Sequence, residues 1–380
     1  MFGSSLIDLT THRYFAVNSL TILGGGNTAF SVAANLTHLG HRITLWESDS
    51  FKHTLDPIRD SNEITLVGVA EQGPAKIHRL TTDIAEALNA NDFVLVIVPS
   101  YAHEPFLEMC APHLTADHTI VLMPGNLGSL TWSRRLRETG AALPTLAEVD
   151  TAPYVCRKTM PDTATIWGVV TQLGVGVLPN TRTEQVKARL NLLFPGVIAY
   201  PDVMACGLSA MNPIVHPAGV LMNAGRVEYS GGEFYFYKEG VTPSVAKVVM
   251  KVDEERRAVG SALGYNLQPA NEAFHAAGFG PQGDIWETIN RSRMLTALKA
   301  PGALESRWLT EDIPYGLASW SSVGSQYGVV TPTMDALVDI GSIVMGFDGW
   351  AAARDVDKLG IKNASLDALA THLATGRHLP

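Results

Sequence analysis

Three stretches of the 380-residue chain bunch residues that can do chemistry. The first is Gly24-Gly25-Gly26-Asn27-Thr28-Ala29, a G-x-G-x-x-A pattern with small residues at Gly24, Gly26 and Ala29. Gly24 permits a tight turn, Gly26 lets backbone N–H groups approach a pyrophosphate, and Ala29 lets a helix pack closely on a strand. The second stretch, Asn212 to Glu228, sets His216 between Pro213 and Pro217 in apolar surroundings. This spacing leaves a structural and a functional histidine equally open. The third, Glu305 to Gly316, gathers Arg307, Glu311 and Asp312 around turn-forming residues, and also reads as a solvated loop.

The elements around the glycines fit a nucleotide site. Ser19 to Leu23 favours a strand, Phe30 to Leu39 has helical spacing, and Arg42 to Trp46 is a second strand. A helix start after such a turn presents free N–H donors and a partial positive charge to phosphates. Gly24, Gly26, Asn27 and Ala29 are therefore expected to hold a dinucleotide. Glu47, 23 residues after Gly24, ends the second strand. A carboxylate there can accept from ribose hydroxyls and repel a 2′-phosphate, favouring NADH, with NADPH as the alternative. Its other reading is a solvated acid beside Asp49.

Strand and helix patterns keep alternating, which predicts an open parallel sheet. Phe93 to Val98 is a continuous apolar run ending at Pro99, as a buried parallel strand reads. Helix His103 to His113, strand Thr119 to Met123, helix Ser129 to Thr139 and strand Pro144 to Glu148 follow. The segments Pro99 to His103 and Pro124-Gly125 to Gly128 end strands and are expected to wall the nicotinamide side, or else to be tight turns. Short strand patterns around a helix, between Thr165 and Ala199, are expected to complete the sheet. After Asp202 helical spacing dominates, over Ala205 to Arg226, Pro243 to Leu263, Trp286 to Leu298 and Thr333 to Phe347. The predicted class is α/β: a Rossmann-type dinucleotide-binding domain over 19–200, after an extension over 1–18, followed by a mostly α-helical substrate and catalytic domain over 201–380. A cleft between the two would bind substrate.

Composition narrows the remaining classes. A net charge of −9 with no basic run disfavours nucleic acid. No apolar run approaches the roughly 20 residues of a membrane helix. The start of the chain does not read as a secretory signal, and Cys110, Cys156 and Cys206 show no disulfide or metal spacing, so reduced thiols, no metal and a cytoplasmic setting are expected. The aromatic run Phe234 to Tyr237 reads as packing or an oligomer contact.

The pieces LTILGGGNTAF, VIVPSYAH, VLMPGNLGSL, AEVDTAPYVCR, NPIVHPAGVLMNAGRVE and ESRWLTEDIPYGL occur in that order from Leu20 to about Gly316. In them the chain resembles the opine dehydrogenases, the octopine/nopaline dehydrogenase family. The resemblance implies NAD(P)H-dependent reductive condensation of an α-keto acid with the amino group of an amino acid. It implies His216 as the catalytic histidine, Asp312 as its carboxylate partner and Arg307 as the guanidinium that holds the keto-acid carboxylate. Thr28 departs from the family, which often has a second small residue there. Related reductases use a lysine, but none lies between Lys187 and Lys238. Asn212, four residues before His216, would share its helix face, or else act as a cap or buried amide; Tyr315 would close the substrate side. Glu148 and Arg157 flank a strand end near the cleft. Rival readings are a keto- or hydroxy-acid reductase without amine condensation, and a non-catalytic NAD-binding sensor. A homodimer through the helical half is one open arrangement.

Overall fold

The computed structural model describes residues 19–377 and 379, so the expected extension over 1–18 lies outside the described residues. Among the described residues twelve strands form two sheets. They are β1 (Ser19–Leu23), β2 (Arg42–Trp46), β3 (Glu63–Gly68), β4 (Gly73–Lys76), β5 (Arg79–Thr81), β6 (Phe93–Val96), β7 (Thr119–Leu122), β8 (Thr145–Val149), β9 (Tyr154–Met160), β10 (Thr163–Val169), β11 (Leu173–Leu178) and β12 (Val197–Ala199).

The larger sheet runs β12-β11-β8-β7-β6-β1-β2-β5. All neighbours are parallel except β8 and β11. β1 lies between β2 and β6, so the strand order reverses there. Such a reversal opens a crevice at the carboxyl ends of the strands, where ligands of open α/β sheets bind. β6 and β7 are buried along their whole length, as their unbroken Val/Leu/Ile runs require.

The smaller sheet runs β4-β3-β10-β9. It packs on helix Asn27–His38, which sits between the two sheets. This corrects the expectation that the whole of Thr165 to Ala199 completes the main sheet. Ile-Trp-Gly-Val ends β10, where Ala164 and Ile166 are buried while Trp167 and Val169 face outward. That two-residue alternation marks a half-buried strand, unlike the buried central strands of the main sheet. The hairpin β3–β4 was not anticipated.

The helical half is more broken than its periodicity predicts. The span Ala205 to Arg226 is three helices, Val203–Gly207, Asn212–Leu221 and Ala224–Ser230. Pro213 in the first turn starts the second of these. Asn223 ends it, because its amide donates to the carbonyls of Gly219 and Gly240 at 2.8 and 3.0 Å. The span Trp286 to Leu298 holds only helix Ile285–Asn290 and a one-turn segment, Leu295–Ala297. Asp284 caps the former through the Glu287 N–H, and the Ser292 hydroxyl accepts the Leu295 N–H that starts the latter. The long helices Pro243–Ala262 and Pro332–Met345 begin at prolines, and Gly346 stops the second with φ of 66°. The chain then returns to the nucleotide half, where helix Leu366–Thr375 packs against β11. Among the described residues no helix is long and apolar enough to cross a membrane, and no cluster of metal-binding side chains occurs.

Candidate active site

The glycine turn is built by the strands on either side of it. The Gly24 N–H donates to the Trp46 carbonyl and the Ile97 N–H to Leu23, so turn, β2 and β6 are stitched together. Gly24 has φ of 123°, and a Cβ there would lie 2.6 Å from the Ile97 carbonyl oxygen. Gly26 precedes helix Asn27–His38 without a side-chain cap, and the space where its Cβ would point is open. Uncapped N–H groups beside a cradle without side chains fit a pyrophosphate. Ala29 is buried beneath the turn.

Glu47 stands at the end of β2, and its carboxylate is anchored to the glycine turn. One oxygen accepts the Gly25 N–H at 2.7 Å, and the other accepts the Ser48 N–H at 2.8 Å. Glu47 thus shapes the glycine turn and places a buried negative charge beside it.

A cleft of about 640 Å³ opens from this turn into the helical half. Gly26, Asn27, Pro99 and Pro124 line it on one side, and Asn212, His216, Arg307 and Asp312 on the other. Five expected residues do not line it: Gly24, Ala29 and Glu47 stay within or behind the glycine turn, and Gly125 and Tyr315 are engaged elsewhere. Gly125 packs against Glu148, whose side chain fills the place of its Cβ, and its carbonyl accepts from Arg354. Tyr315 does not close the substrate side, because its ring lies under the Arg354 guanidinium, 4.7 Å away.

Local geometry explains how the ionisable groups converge. Arg307 begins a short helix, Arg307–Thr310, and Glu311 falls four residues later on the same face. The Glu311 carboxylate accepts from Arg307 Nε at 2.8 Å and lies 2.6 Å from Nη2, so the Nη1–Nη2 edge faces away from it. Its other oxygen accepts the N–H and hydroxyl of Ser100, at 2.8 and 2.9 Å, tying the loop after β6 to this segment. Asp312, one residue on, is rotated by about 100° around the helix axis toward His216. His216 Nδ1 and Asp312 Oδ2 are 2.7 Å apart, and both residues are buried. Burial raises the Asp312 carboxyl above its ordinary range, while the His216 hydrogen bond and charge pull the other way.

The structure adds residues that sequence reasoning missed. The Tyr237 hydroxyl lies 2.9 Å from His216 Nε2. Trp308 stacks on the imidazole at 4.4 Å and 5°. The Arg354 guanidinium is fully buried and donates to the carbonyls of Ser100, Gly125 and Asn126, pinning both strand-end loops. Burial, with Arg354 beside it, pushes His103 well below its ordinary pKa. A tyrosine within an apolar aromatic run was the only signal for Tyr237; Arg354 had none. Glu148 is buried as a cap: its carboxylate accepts from the backbone of Leu127 and Ser129. Arg157 reaches the cleft wall.

Fold and cleft together define a two-domain NAD(P)-dependent dehydrogenase. Residues 19–125 match the NAD-dependent glycerol-3-phosphate dehydrogenase N-terminus, and residues 199–345 match the alpha-helical domain of NAD/NADP octopine/nopaline dehydrogenase. The chain is 29% identical to the opine dehydrogenase of Arthrobacter sp. (strain 1C), over 90% of this chain and 94% of that protein. It is 23% identical to the octopine dehydrogenase of Mizuhopecten yessoensis, over 88% and 93%. Octopine dehydrogenase in complex with NADH and agmatine shares the fold, with a TM-score of 0.77 at 21% identity, covering 93% of this chain and 98% of that one. Yersinopine dehydrogenase with NADP+ bound does so at 0.70 and 15%, covering 94% and 98%. Its helical half carries the octopine/nopaline dehydrogenase domain, the chain is similar to an opine dehydrogenase over 90% of its length, and it is an opine dehydrogenase-like oxidoreductase.

Proposed function

We propose that this enzyme condenses a pyruvate-like α-keto acid with the amino group of an apolar amino acid, reducing the product to an N-(carboxyalkyl)amino acid with NADH. The observation that carries the reading is the buried His216–Asp312 pair beside a half-exposed Arg307, all facing one cleft that begins at the glycine turn. NADH is preferred because Glu47 keeps a buried negative charge beside the turn, where a 2′-phosphate would be repelled. Bound NAD(P)H supplies the hydride that turns an imine into a secondary amine.

The chain's own groups do the rest. The open Nη1–Nη2 edge of Arg307 can take a carboxylate through two parallel N–H···O bonds, which fixes the keto carbon in place. His216, oriented by Asp312, handles the proton that the departing hydroxyl of the carbinolamine needs, an effect of about 10²–10⁴-fold. Phe274, Phe279, Leu295 and Leu298 make much of the remaining wall apolar. Both carboxylates that face the cleft are already paired, Glu311 with Arg307 and Asp312 with His216. A guanidinium or ammonium side chain therefore meets no spare carboxylate and faces Arg157 instead, which disfavours basic amino acids.

The test is an NADH-oxidation screen of small keto acids against the standard amino acids, with mass detection of the product. Apolar amino acids should give the highest kcat/KM, arginine and lysine at least about tenfold less. Turnover without any amine would overturn the condensation reading in favour of a simple keto-acid reductase. Tight NADH binding without turnover on any pair would overturn it in favour of a sensor.

A further inference from the structure

The reactive histidine has no free nitrogen. A carboxylate can only accept, so the Asp312 contact at 2.7 Å places a proton on Nδ1. Nε2 of the neutral ring is then an acceptor, and the Tyr237 hydroxyl at 2.9 Å donates to it. One face of the ring is covered by Trp308, and Phe236 stands edge-on at 6.4 Å. A substrate oxygen thus finds neither nitrogen open unless Tyr237 moves.

Tyr237 is held where it is. It sits on the turn Phe236–Gly240, whose first N–H donates to the Leu298 carbonyl at 3.0 Å. The far end of the turn is fixed by Asn223, which donates to the Gly240 carbonyl at 3.0 Å. The Tyr237 ring is buried against Phe236 and Trp308, yet the residue lines the cleft. Burial and the nearby Asp312 charge push its phenol further from ionising, so it stays a donor at neutral pH.

Building on the condensation reading above, we propose that Tyr237 is a further catalytic residue: its hydroxyl touches the substrate oxygen and relays the proton that His216 supplies. The step balances as follows. In the carbinolamine the nitrogen lone pair forms the C=N bond while the C–O bond breaks. The departing hydroxyl takes the Tyr237 proton and leaves as water. The Tyr237 oxygen takes the proton from Nε2 of the His216 imidazolium, which becomes neutral with its Nδ1–H still on Asp312. The proton that the ammonium group of the amino acid must lose before it attacks returns to Nε2 by the same route, through the Tyr237 hydroxyl. An imidazolium paired with Asp312 is the proton reservoir, and a phenol that never carries net charge is the contact group.

The experiment is Tyr237→Phe in the full chain, which keeps every ring contact and removes only the hydroxyl. The relay predicts that kcat falls at least about 100-fold, while the substrate KM values and the NADH dissociation constant stay within about threefold. A kcat within about threefold of wild type overturns the proposal. A purely packing role would instead move KM or Tm, and that pattern with kcat intact also overturns it. Should the phenylalanine variant fail to fold, 3-fluorotyrosine at position 237 keeps the shape and makes the phenol more acidic. The altered proton affinity of the phenol must then change kcat by more than about twofold, and an unchanged kcat overturns the relay. His216→Ala separates the two levels of argument. If His216→Ala is inactive while Tyr237→Phe is fully active, only the relay fails; if both are active, the proton role of His216 fails with it, and turnover without any amine is the separate outcome that removes the condensation reading.

Discussion

The buried carboxylates that shape the strand-end loops and those that face the cleft are spent on different partners. In the nucleotide half, Glu47 accepts from the backbone of Gly25 and Ser48, Glu148 from Leu127 and Ser129, and Asp150 from Gly174. In the helical half, Asp312 faces the His216 imidazole and Glu311 faces the Arg307 guanidinium. A backbone N–H cannot titrate, so a carboxylate bound to it fixes the path of a loop. An imidazole can titrate, so a carboxylate bound to it sets where a proton resides. The same side-chain chemistry makes architecture at the strand ends and reactivity at the cleft.

The sharpest way to break that contrast is Asp312→Asn. The amide can donate to Nδ1, which moves the ring proton to Nε2 and abolishes the acceptor that meets Tyr237. A wrong tautomer of this kind costs a histidine base or acid about 10² to 10⁴ in rate. We expect kcat to fall by at least about 100-fold, with NADH affinity read by fluorescence nearly unchanged. A variant that keeps kcat within about threefold would show that Asp312, like Glu148, is only architectural.

How much was legible beforehand follows the same division. The glycine turn, helix Asn27–His38 and the strands β1, β2, β6, β7 and β8 were legible because each depends on a local pattern of apolar runs and small residues. β10 was misplaced because strand spacing cannot say which of two sheets a strand joins. The helix expected over Ala205 to Arg226 broke because Asn223 meets the Gly240 carbonyl, a contact made across the fold. His216, Arg307 and Asp312 were named through a family resemblance rather than spacing, since 96 residues separate His216 from Asp312. Tyr237 escaped because its role depends on how one turn meets a distant helix, and its neighbours are apolar. Arg354 escaped because nothing in Ala351-Ala352-Ala353-Arg354-Asp355 marks a guanidinium that will be buried. Tyr315 was expected to close the substrate side, but its ring packs under Arg354 instead.

On the architectural side, Glu148→Ala tests the opposite pole. It removes three hydrogen bonds, from the Leu127 N–H at 2.9 Å, the Ser129 N–H at 3.1 Å and the Ser129 hydroxyl at 2.5 Å. Each buried donor left unpaired costs about 1–3 kcal/mol, so a loss of about 3 kcal/mol or more is expected in denaturant unfolding. The folded fraction should keep its pH profile of turnover. A shifted profile with intact stability would place Glu148 among the reactive carboxylates.

The smallest expected effect is at Asp150, and it reads the same contrast through pH. Burial pushes this carboxyl up to about 7, although the Tyr200 hydroxyl at 2.9 Å and the Gly174 N–H at 3.0 Å favour its charged form. The sign follows from proton counting. Between the ordinary value of 3.8 and about 7 the folded chain binds the Asp150 proton more tightly than the unfolded chain does. Stability from this group is therefore fully present below the ordinary value and falls as pH rises through the folded one. Asp150→Asn carries no charge at any pH and lacks that slope. The Tm of the wild type minus that of the variant should decline by a few degrees from pH 4 to pH 7, then level off. A difference that is flat across this range would mean that Asp150 stays ionised in the fold, held by its donors despite its burial. Its hydrogen bonds would then outweigh its desolvation, and Asp150 would fix its loop as a charged group.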